Sequence, residues 1–314
     1  MLLACRKSDE SKLGWIGVYG KLAVNLRLGA VSTSIRGSRP DRFALGPELI
    51  FAIELSYASP IIDIHSHPVF MGEGRKRSEV NRWVARARRF GIEAMVALGD
   101  VLVHGDRPDA NQIRKINEET ARIVSWAPEF FHGFCYLNPT LGERAVLSEV
   151  DRWVGQSGFK GLKLEIANNA RDRCMAPVMR AAESHDVPVL QHTWSMTKIR
   201  KRSQHSDPED TCLLARRFPN TRVIMAHLTG CGYRGVLAAR GIDNLWVDTS
   251  GGTPEAGIVE YAVSNLGAKR VLYGSDAPIR DLPVAIGQVA GAQLRMSDKQ
   301  AVFYENAAAL LKLV

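Results

Sequence analysis

The sequence lacks several features that would assign it to a special class of protein. No apolar run approaches the roughly 18 residues that a membrane-spanning helix needs. The apolar start, residues 1–5, is cut short by Arg6 and Lys7, so the chain shows no clean secretory signal. It also lacks the interleaved aromatic and basic residues typical of single-strand-binding proteins. These absences favour a cytoplasmic protein that acts on a small molecule, with no membrane or nucleic acid as partner.

Cysteine is scarce and shows no pairing pattern. The five cysteines are an odd number, and none belongs to a CxxC motif. This favours a reducing compartment over a disulfide framework. The formal charge of +8 is spread along the chain, which points to an anionic small molecule before it points to nucleic acid.

The most informative string is Asp63-Ile64-His65-Ser66-His67, which follows the apolar residues 60–62. Because side chains alternate along a strand, His65 and His67 lie on the same face. Two imidazoles that converge at a strand end supply half of a metal site. Three further apolar runs also end in residues that can bind a metal or carry a proton, and these are His192, His227 and Asp276.

Eight short apolar runs are spaced about evenly along the chain. They begin near residues 60, 92, 130, 159, 187, 222, 244 and 270. Such runs are typical of strands buried on both faces. Helical patterns are predicted between and after them, at residues 75–90, 111–126, 142–154, 175–185, 207–218, 233–240, 254–266, 282–294 and 298–313. Eight strand–helix units in about 250 residues predict an α/β fold, a closed (β/α)8 TIM barrel over residues 59–314.

The first 58 residues do not fit this pattern. They carry scattered Gly, Ser and Arg without a sustained apolar period, and residues 31–40 are typical of flexible chain. We expect residues 1–58 to be a poorly structured extension, or to lie upstream of a mis-assigned start codon. A lid or an oligomerisation arm is the alternative, but no residue pattern supports it.

The ordered set of motifs resembles the amidohydrolase superfamily. It is most similar to the amidohydrolase-2 branch of TIM-barrel metal-dependent hydrolases, which is related to aminocarboxymuconate-semialdehyde decarboxylase. The resemblance spans roughly residue 59 to the end, and the extension lies outside it. The matching segments are residues 62–67, 158–164, 188–193, 226–228, 273–278 and 306–308.

The resemblance implies a set of roles. His65, His67, His192 and Asp276 would hold one divalent metal ion, for which three imidazoles and a carboxylate make zinc the best choice. Asp276 would also accept the proton of a metal-activated water. His227 would polarise the substrate carbonyl or stabilise the developing oxyanion.

The fourth strand leaves two interpretations open. Lys163 and Glu165 share the face of Gly161, so both can point into the mouth of the barrel. In some superfamily members a strand-four group bridges a second metal ion, and Glu165 has suitable chemistry. Otherwise Lys163 and Glu165 pair with each other or bind substrate. One ion is favoured over two.

Other polar residues carry less weight. Ordinary packed or solvated roles are expected for His104, His132, His185 and His205. The basic clusters at residues 75–77 and 198–202 follow strands one and five. They are interpreted first as solvated charges and second as a rim that attracts anionic substrates.

The same ligand set serves two reactions. The favoured function is a metal-dependent hydrolase that uses an activated water on an amide, ester or lactone of a small, anionic substrate. The alternative is a metal-dependent non-oxidative decarboxylase of an aromatic or muconate-type acid. Hydrolysis is favoured because only the general set of metal, water and base is visible. A homo-oligomer is left open.

The extension provides the first test. Limited proteolysis should trim the chain to a stable fragment that begins near Ser59, because residues 1–58 lack the apolar period of a core. Mass spectrometry of the fragment identifies its first residue. Protection of residues 31–40 from cleavage would contradict the prediction.

Overall fold

The computed structural model describes residues 60–68, 76–99, 103–165, 167–195, 205–252 and 254–313. The predictions for residues 1–58, Arg75 and residues 198–202 lie outside the described residues. No helix in the described part of the chain is long and apolar enough to cross a membrane.

Every apolar run that predicts a strand forms one. All six residues of the first strand are buried, as expected for a strand covered on both faces. The strands are β1 (Ile61–Ser66), β2 (Ile92–Ala97), β3 (Phe131–Leu137), β4 (Gly161–Leu164), β5 (Val189–Gln191), β6 (Val223–Met225), β7 (Leu245–Asp248) and β8 (Val271–Leu272).

The eight strands form one parallel sheet in chain order, β1 to β8. Backbone hydrogen bonds return from the last strand to the first and close the sheet. Ile64 N donates to Tyr273 O at 2.9 Å, and Asp276 N donates to His65 O at 2.8 Å. The predicted α/β TIM barrel is therefore confirmed.

Helices follow the strands and cover the barrel. They are α1 (Arg77–Arg89), α2 (Ala110–Trp126), α3 (Glu143–Val150), α4 (Met175–Ser184), α5 (Pro208–Arg217), α6 (Leu228–Ala239), α7 (Ile258–Leu266), α8 (Leu282–Ala290), α9 (Met296–Gln300) and α10 (Asn306–Leu311). A π-helical turn extends α3 (Asp151–Gln156), and another joins α9 to α10 (Ala301–Glu305).

Two helices begin four or more residues away from the start that the sequence predicts. The sequence predicts a helix from residue 233, but α6 begins at Leu228 and is interrupted at Gly232, where φ is 61°. Residues 229–232 are rich in glycine, which is typical of a loop. In the structure this turn is held under the Trp194 ring, where a Cβ on Gly230 would lie 2.5 Å from the indole. Helix α7 begins at Ile258 instead of residue 254, because Gly257 has φ 80°.

The apolar side chains form two main layers. Outward-facing residues such as Leu162, Val189 and Val223 join the core between strands and helices. A second cluster contains Leu190 and Ile224, which alternate with them, together with side chains of α10. The alternation of apolar residues to both faces explains why the strands are apolar throughout.

Two glycines allow β3 and β4 to pack phenyl rings across their ladder. Phe134 pairs with Gly161, where an added Cβ would lie 2.4 Å from the ring carbon Cζ. A Cβ on Gly133 would lie 2.7 Å from the ring of Phe159. Phe134 is fully buried, so its ring has no free space into which to move.

Gly161→Ala should lower the free energy of unfolding by about 1–3 kcal/mol, because the new methyl group overpacks against Phe134. Gly287→Ala is the matched control, since Gly287 is an exposed residue of α8 with no atom within 4 Å of an added Cβ. That change should raise stability by up to about 1 kcal/mol. Chemical denaturation measures both, and a Gly161→Ala protein as stable as the wild type would contradict the packing argument.

Candidate metal centre

The residues singled out in the sequence meet at one end of the barrel. His65 lies near the end of β1 and His67 directly follows it, while His192 follows β5, His227 follows β6 and Asp276 follows β8. The ring centroids of His65 and His227 are 4.9 Å apart, and those of His192 and His227 are 4.7 Å apart. The end concerned is the C-terminal end of the strands, where TIM barrels carry their chemistry.

Three side-chain atoms converge most closely. His65 Nε2 lies 3.3 Å from His67 Nε2. Asp276 Oδ1 lies 3.7 Å from His65 Nε2 and 3.5 Å from His67 Nε2. Among the described residues, His65, His67 and Asp276 are the group of three His, Cys, Asp or Glu residues whose atoms are close enough to share a metal ion.

The hydrogen bonds at the Nδ1 atoms of His65 and His67 show which ring nitrogens are left to bind a metal ion. His65 Nδ1 lies 2.9 Å from Asp248 Oδ2, and His67 Nδ1 lies 3.2 Å from the carbonyl oxygen of Gly99. Both oxygens are acceptors, so each Nδ1 donates a proton and each neutral ring keeps a lone pair on Nε2.

With both Nδ1 atoms protonated, two Nε2 lone pairs and a carboxylate oxygen face one another, an arrangement that a cation between them would stabilise. A tetrahedral ion with bonds of about 2.1 Å sets its ligand atoms roughly 3.4 Å apart. The observed separations of 3.3 to 3.7 Å match this spacing. The residues present therefore fit a divalent metal ion.

Asp248 supports this centre, and the sequence analysis did not single it out. It is the last residue of β7 and is fully buried. Its Oδ1 accepts hydrogen bonds from His227 N at 3.1 Å and Ser250 N at 3.0 Å. Burial alone would raise the pKa of Asp248, but the attraction of His65 holds this pKa below its usual range. The sequence did contain a signal for Asp248, since it is an acidic residue at the end of an apolar run, as Asp276 is.

Asp63 is a second supporting residue that the sequence analysis did not assign a role. Its Oδ1 accepts from His65 N at 3.1 Å and from Ser275 N at 3.0 Å, and the Ser275 hydroxyl donates to Oδ2. Burial raises the pKa of Asp63 to about 7. The carboxyl group thus joins the strand that carries both histidines to the segment that carries Asp276.

The backbone at the strand ends is tightly constrained. His227 has φ 71° and Asp276 has φ 59°, a left-handed conformation that is uncommon for residues with a side chain. A Cβ on Gly274 would lie 2.9 Å from His65 Cβ. Non-glycine residues in this region cost of order 1 kcal/mol or more and persist where the surroundings fix them, often at functional sites.

His192 lies at the mouth but is not one of the three converging residues. Its Nδ1 is 3.1 Å from Glu165 Oε2, and 23% of its side chain is exposed. The other oxygen of Glu165 lies 2.7 Å from the ammonium of Lys163, which is fully buried. The role of His192 as a metal ligand stays a prediction.

Glu165 is engaged at both oxygens. Burial would raise its pKa, but Lys163 and His192 hold the pKa of Glu165 well below its usual range. The pairing of Lys163 with Glu165 is the arrangement observed, while a second-metal bridge by Glu165 and a substrate contact by Lys163 stay predictions.

Burial favours the neutral form of two imidazoles at the mouth, those of His67 and His227. Burial, with help from the neighbouring His65, lowers the pKa of His67 to about 3. Burial, His192 and His65 together keep the pKa of His227 well below its usual value. His227 Nδ1 lies 3.2 Å from the carbonyl oxygen of Thr193. Burial raises the pKa of Asp276.

His67→Ala should remove most of the bound metal, because it deletes one of three converging donors. Losing a residue that binds the ion directly should weaken metal affinity by more than the roughly 10–100-fold typical of losing a residue that only hydrogen-bonds to a ligand. Elemental analysis after dialysis against metal-buffered solution measures the content. His185→Ala is the control, since His185 is exposed at the end of α4. Equal metal content in both variants would rule out this centre.

Comparison with solved structures places the barrel among known folds. The barrel matches 2,6-dihydroxybenzoate decarboxylase from Rhizobium with 17% identity and a TM-score of 0.66, and the match covers 81% of this chain and 99% of the decarboxylase chain. A dihydroxybenzoic acid decarboxylase from Polaromonas, solved with bound manganese, matches at 16% identity, 81% and 97% coverage and a TM-score of 0.62. The 4-oxalomesaconate hydratase from Rhodopseudomonas palustris matches at 14% identity, 80% and 95% coverage and a TM-score of 0.60.

At these identities the solved structures establish a shared fold. No curated protein matches the sequence significantly. The family comparison is more direct, since one family model, described as amidohydrolase, matches residues 62–313. That range contains all of the barrel except the first residue of β1, and every residue of the candidate metal centre. The chain therefore belongs to the amidohydrolase family.

Proposed function

We propose that the protein is a metal-dependent, non-oxidative decarboxylase of an aromatic or muconate-type carboxylic acid. The observation that carries the metal dependence of the proposed reaction is the convergence of two imidazoles and one carboxylate at the mouth of the barrel. His65, His67 and Asp276 would hold the ion, with His192 as a further ligand.

Decarboxylation is preferred to the hydrolysis that the sequence analysis favoured. The ligand set serves both reactions, so the choice depends on the comparisons. Two of the three structures compared above are decarboxylases of dihydroxybenzoic acids, which supports the alternative better than hydrolysis. The hydratase on the same barrel shows that fold alone does not fix the reaction.

The reaction assigns a simple task to the side chains. The carbon that carries the carboxylate takes up a proton, its bond to the carboxylate breaks, and carbon dioxide leaves. A bound divalent ion would supply Lewis-acid stabilisation of negative charge on the substrate. Asp276 would take up a proton from solvent and deliver it to this carbon; its Oδ1 faces the two histidines, which leaves Oδ2, 3.9 Å from Arg280, to carry the proton.

His227 receives a narrower role than the sequence analysis gave it. Its Nδ1 donates to the Thr193 carbonyl oxygen, which leaves Nε2 as an acceptor in the neutral ring. An acceptor suits a hydroxyl group on the substrate and does not suit a developing oxyanion. We therefore assign His227 to orient the substrate by accepting a hydrogen bond.

One ion is proposed, and its identity is left to measurement between zinc and manganese. Imidazole and carboxylate donors accept either metal. Zinc follows from the donor types, whereas the Polaromonas relative contains manganese. A single ion is favoured because both oxygens of Glu165 are already paired.

The direct test is an assay of the protein loaded with zinc or with manganese. Carbon dioxide should be released from 2,6-dihydroxybenzoate or a muconate-type acid, and lactones should not be hydrolysed. Asp276→Asn should lose at least a hundredfold in turnover even with excess metal, since an amide cannot deliver the proton. Asp243→Asn is the control, because Asp243 is exposed just before β7, at the opposite end of the barrel.

The opposite result is equally clear. Acid release from lactones without carbon dioxide release from any carboxylic acid would replace decarboxylation by hydrolysis. Wild-type turnover in metal-loaded Asp276→Asn would remove this carboxylate as the proton donor.

A further inference from the structure

A cavity of about 110 Å³ lies beside the candidate metal centre. Ser250 and Ser275 contribute to its wall. Ser250 Oγ lies 3.1 Å from His65 Nδ1, and Ser275 directly precedes Asp276. The cavity therefore shares a wall with the centre. Its volume is several times the roughly 10–15 Å³ that one water requires, so it can hold a larger group.

Arg280 connects this cavity to the centre. Its side chain lines the cavity, and its Nε lies 3.9 Å from Asp276 Oδ2. The backbone N–H of Arg280 donates to Asp276 O at 3.0 Å, which fixes the start of the side chain. The side chain is 45% exposed, so a dissolved ligand can reach it.

The guanidinium of Arg280 has unused donors. At 3.9 Å the contact with Asp276 is too long for a hydrogen bond. Toward the residues that the structure describes, the guanidinium makes no hydrogen bond. A guanidinium carries five N–H donors in a planar fork that matches the two oxygens of a carboxylate.

Gln288 on α8 supplies another unused donor on the same wall. Its Nε2 is enclosed and has no hydrogen-bond partner among the described residues. An enclosed donor without a partner costs about 1–3 kcal/mol, which an acceptor in the cavity would recover. The hydroxyls of Thr229, Thr249 and Ser275 already donate to Ser250 O, Gly274 O and Asp63. Among the side chains that line the cavity, the donors left for a ligand are those of Arg280 and Gln288.

Asp281, the acidic residue that lines the cavity, does not neutralise the charge of Arg280. Asp281 Oδ1 accepts from Val284 N at 3.2 Å, and its Oδ2 lies 3.8 Å from Arg86. Asp276 faces Arg280 but also faces the two histidines. The cavity therefore keeps a positive group that is available to an anion.

We propose that Arg280 and this cavity form a carboxylate-binding subsite next to the metal centre, which selects acids over their uncharged analogues. The inference rests on the proposed function, which requires a carboxylic acid as substrate. The fork of Arg280 takes both oxygens of one carboxylate. Gln288 offers a neutral donor to the part of the ligand that enters the cavity.

Binding without turnover tests the subsite. Calorimetry measures the dissociation constants of benzoate, isophthalate and benzamide for the zinc-loaded wild type, Arg280→Gln, Arg280→Lys and Arg144→Gln. Arg144 is the matched control, an exposed arginine on α3 outside the site. We expect Arg280→Gln to weaken carboxylate binding at least tenfold, with benzamide unchanged and with partial recovery in Arg280→Lys. Arg144→Gln should match the wild type.

The two acids separate the sources of the carboxylate. If Arg280→Gln weakens the binding of benzoate and isophthalate equally, the subsite binds the carboxylate that both acids share. If it weakens the binding of isophthalate alone, the subsite binds a second carboxylate that benzoate lacks. Unchanged binding of both acids in Arg280→Gln overturns the proposal. The proposal is also overturned if Arg280→Gln loses as much affinity for benzamide as for the acids. It is equally overturned if the wild type binds neither acid more tightly than benzamide. Failure of carbon dioxide release would instead count against the proposed function and leave these binding results interpretable.

Discussion

The seam between the first and last strands decides whether this protein has a metal centre. His65 lies in β1 and His67 directly follows it, while Asp276 comes from the segment after β8, more than 200 residues later. The Asp63 carboxylate crosses this seam and accepts hydrogen bonds from His65 N and Ser275 N. Burying a carboxylate is costly unless its oxygens are bonded. Burial raises the pKa of Asp63 to about 7, and leaving such a buried polar group without hydrogen bonds costs about 1–3 kcal/mol, so these bonds hold the seam together.

A second layer of acceptors orients the rings. Asp248 holds Nδ1 of His65, the Gly99 carbonyl faces Nδ1 of His67, and Glu165 faces Nδ1 of His192. In each case the outer nitrogen is occupied, which leaves Nε2 for another partner. Lys163 then balances the buried charge of Glu165. The arrangement is thus organised for cation binding by residues that do not converge on the ion themselves.

The sequence allowed prediction of the barrel and of the residues at its mouth. Both depend on local periodicity: apolar runs of strand length, and a polar residue at the end of a run. The roles of Asp63 and Asp248 depend on contacts between distant strands, as in the pair His65 and Asp248, and a single sequence contains no direct signal for such contacts. The start of α6 was misplaced for a similar reason, because the Trp194 ring over Gly230 sets it. The reaction depends on a substrate, and there the favoured hydrolysis gave way to decarboxylation as the better supported proposal.

The central claim is that a cation binds across the β1–β8 seam. A crystal structure of the protein with manganese or zinc, with data collected at the absorption edge of that metal, tests it most directly. The account predicts one anomalous peak within about 2.3 Å of His65 Nε2, His67 Nε2 and an Asp276 oxygen. A peak bound by Glu165 without His65 and His67, or no peak at the mouth of the barrel under saturating metal, would contradict it.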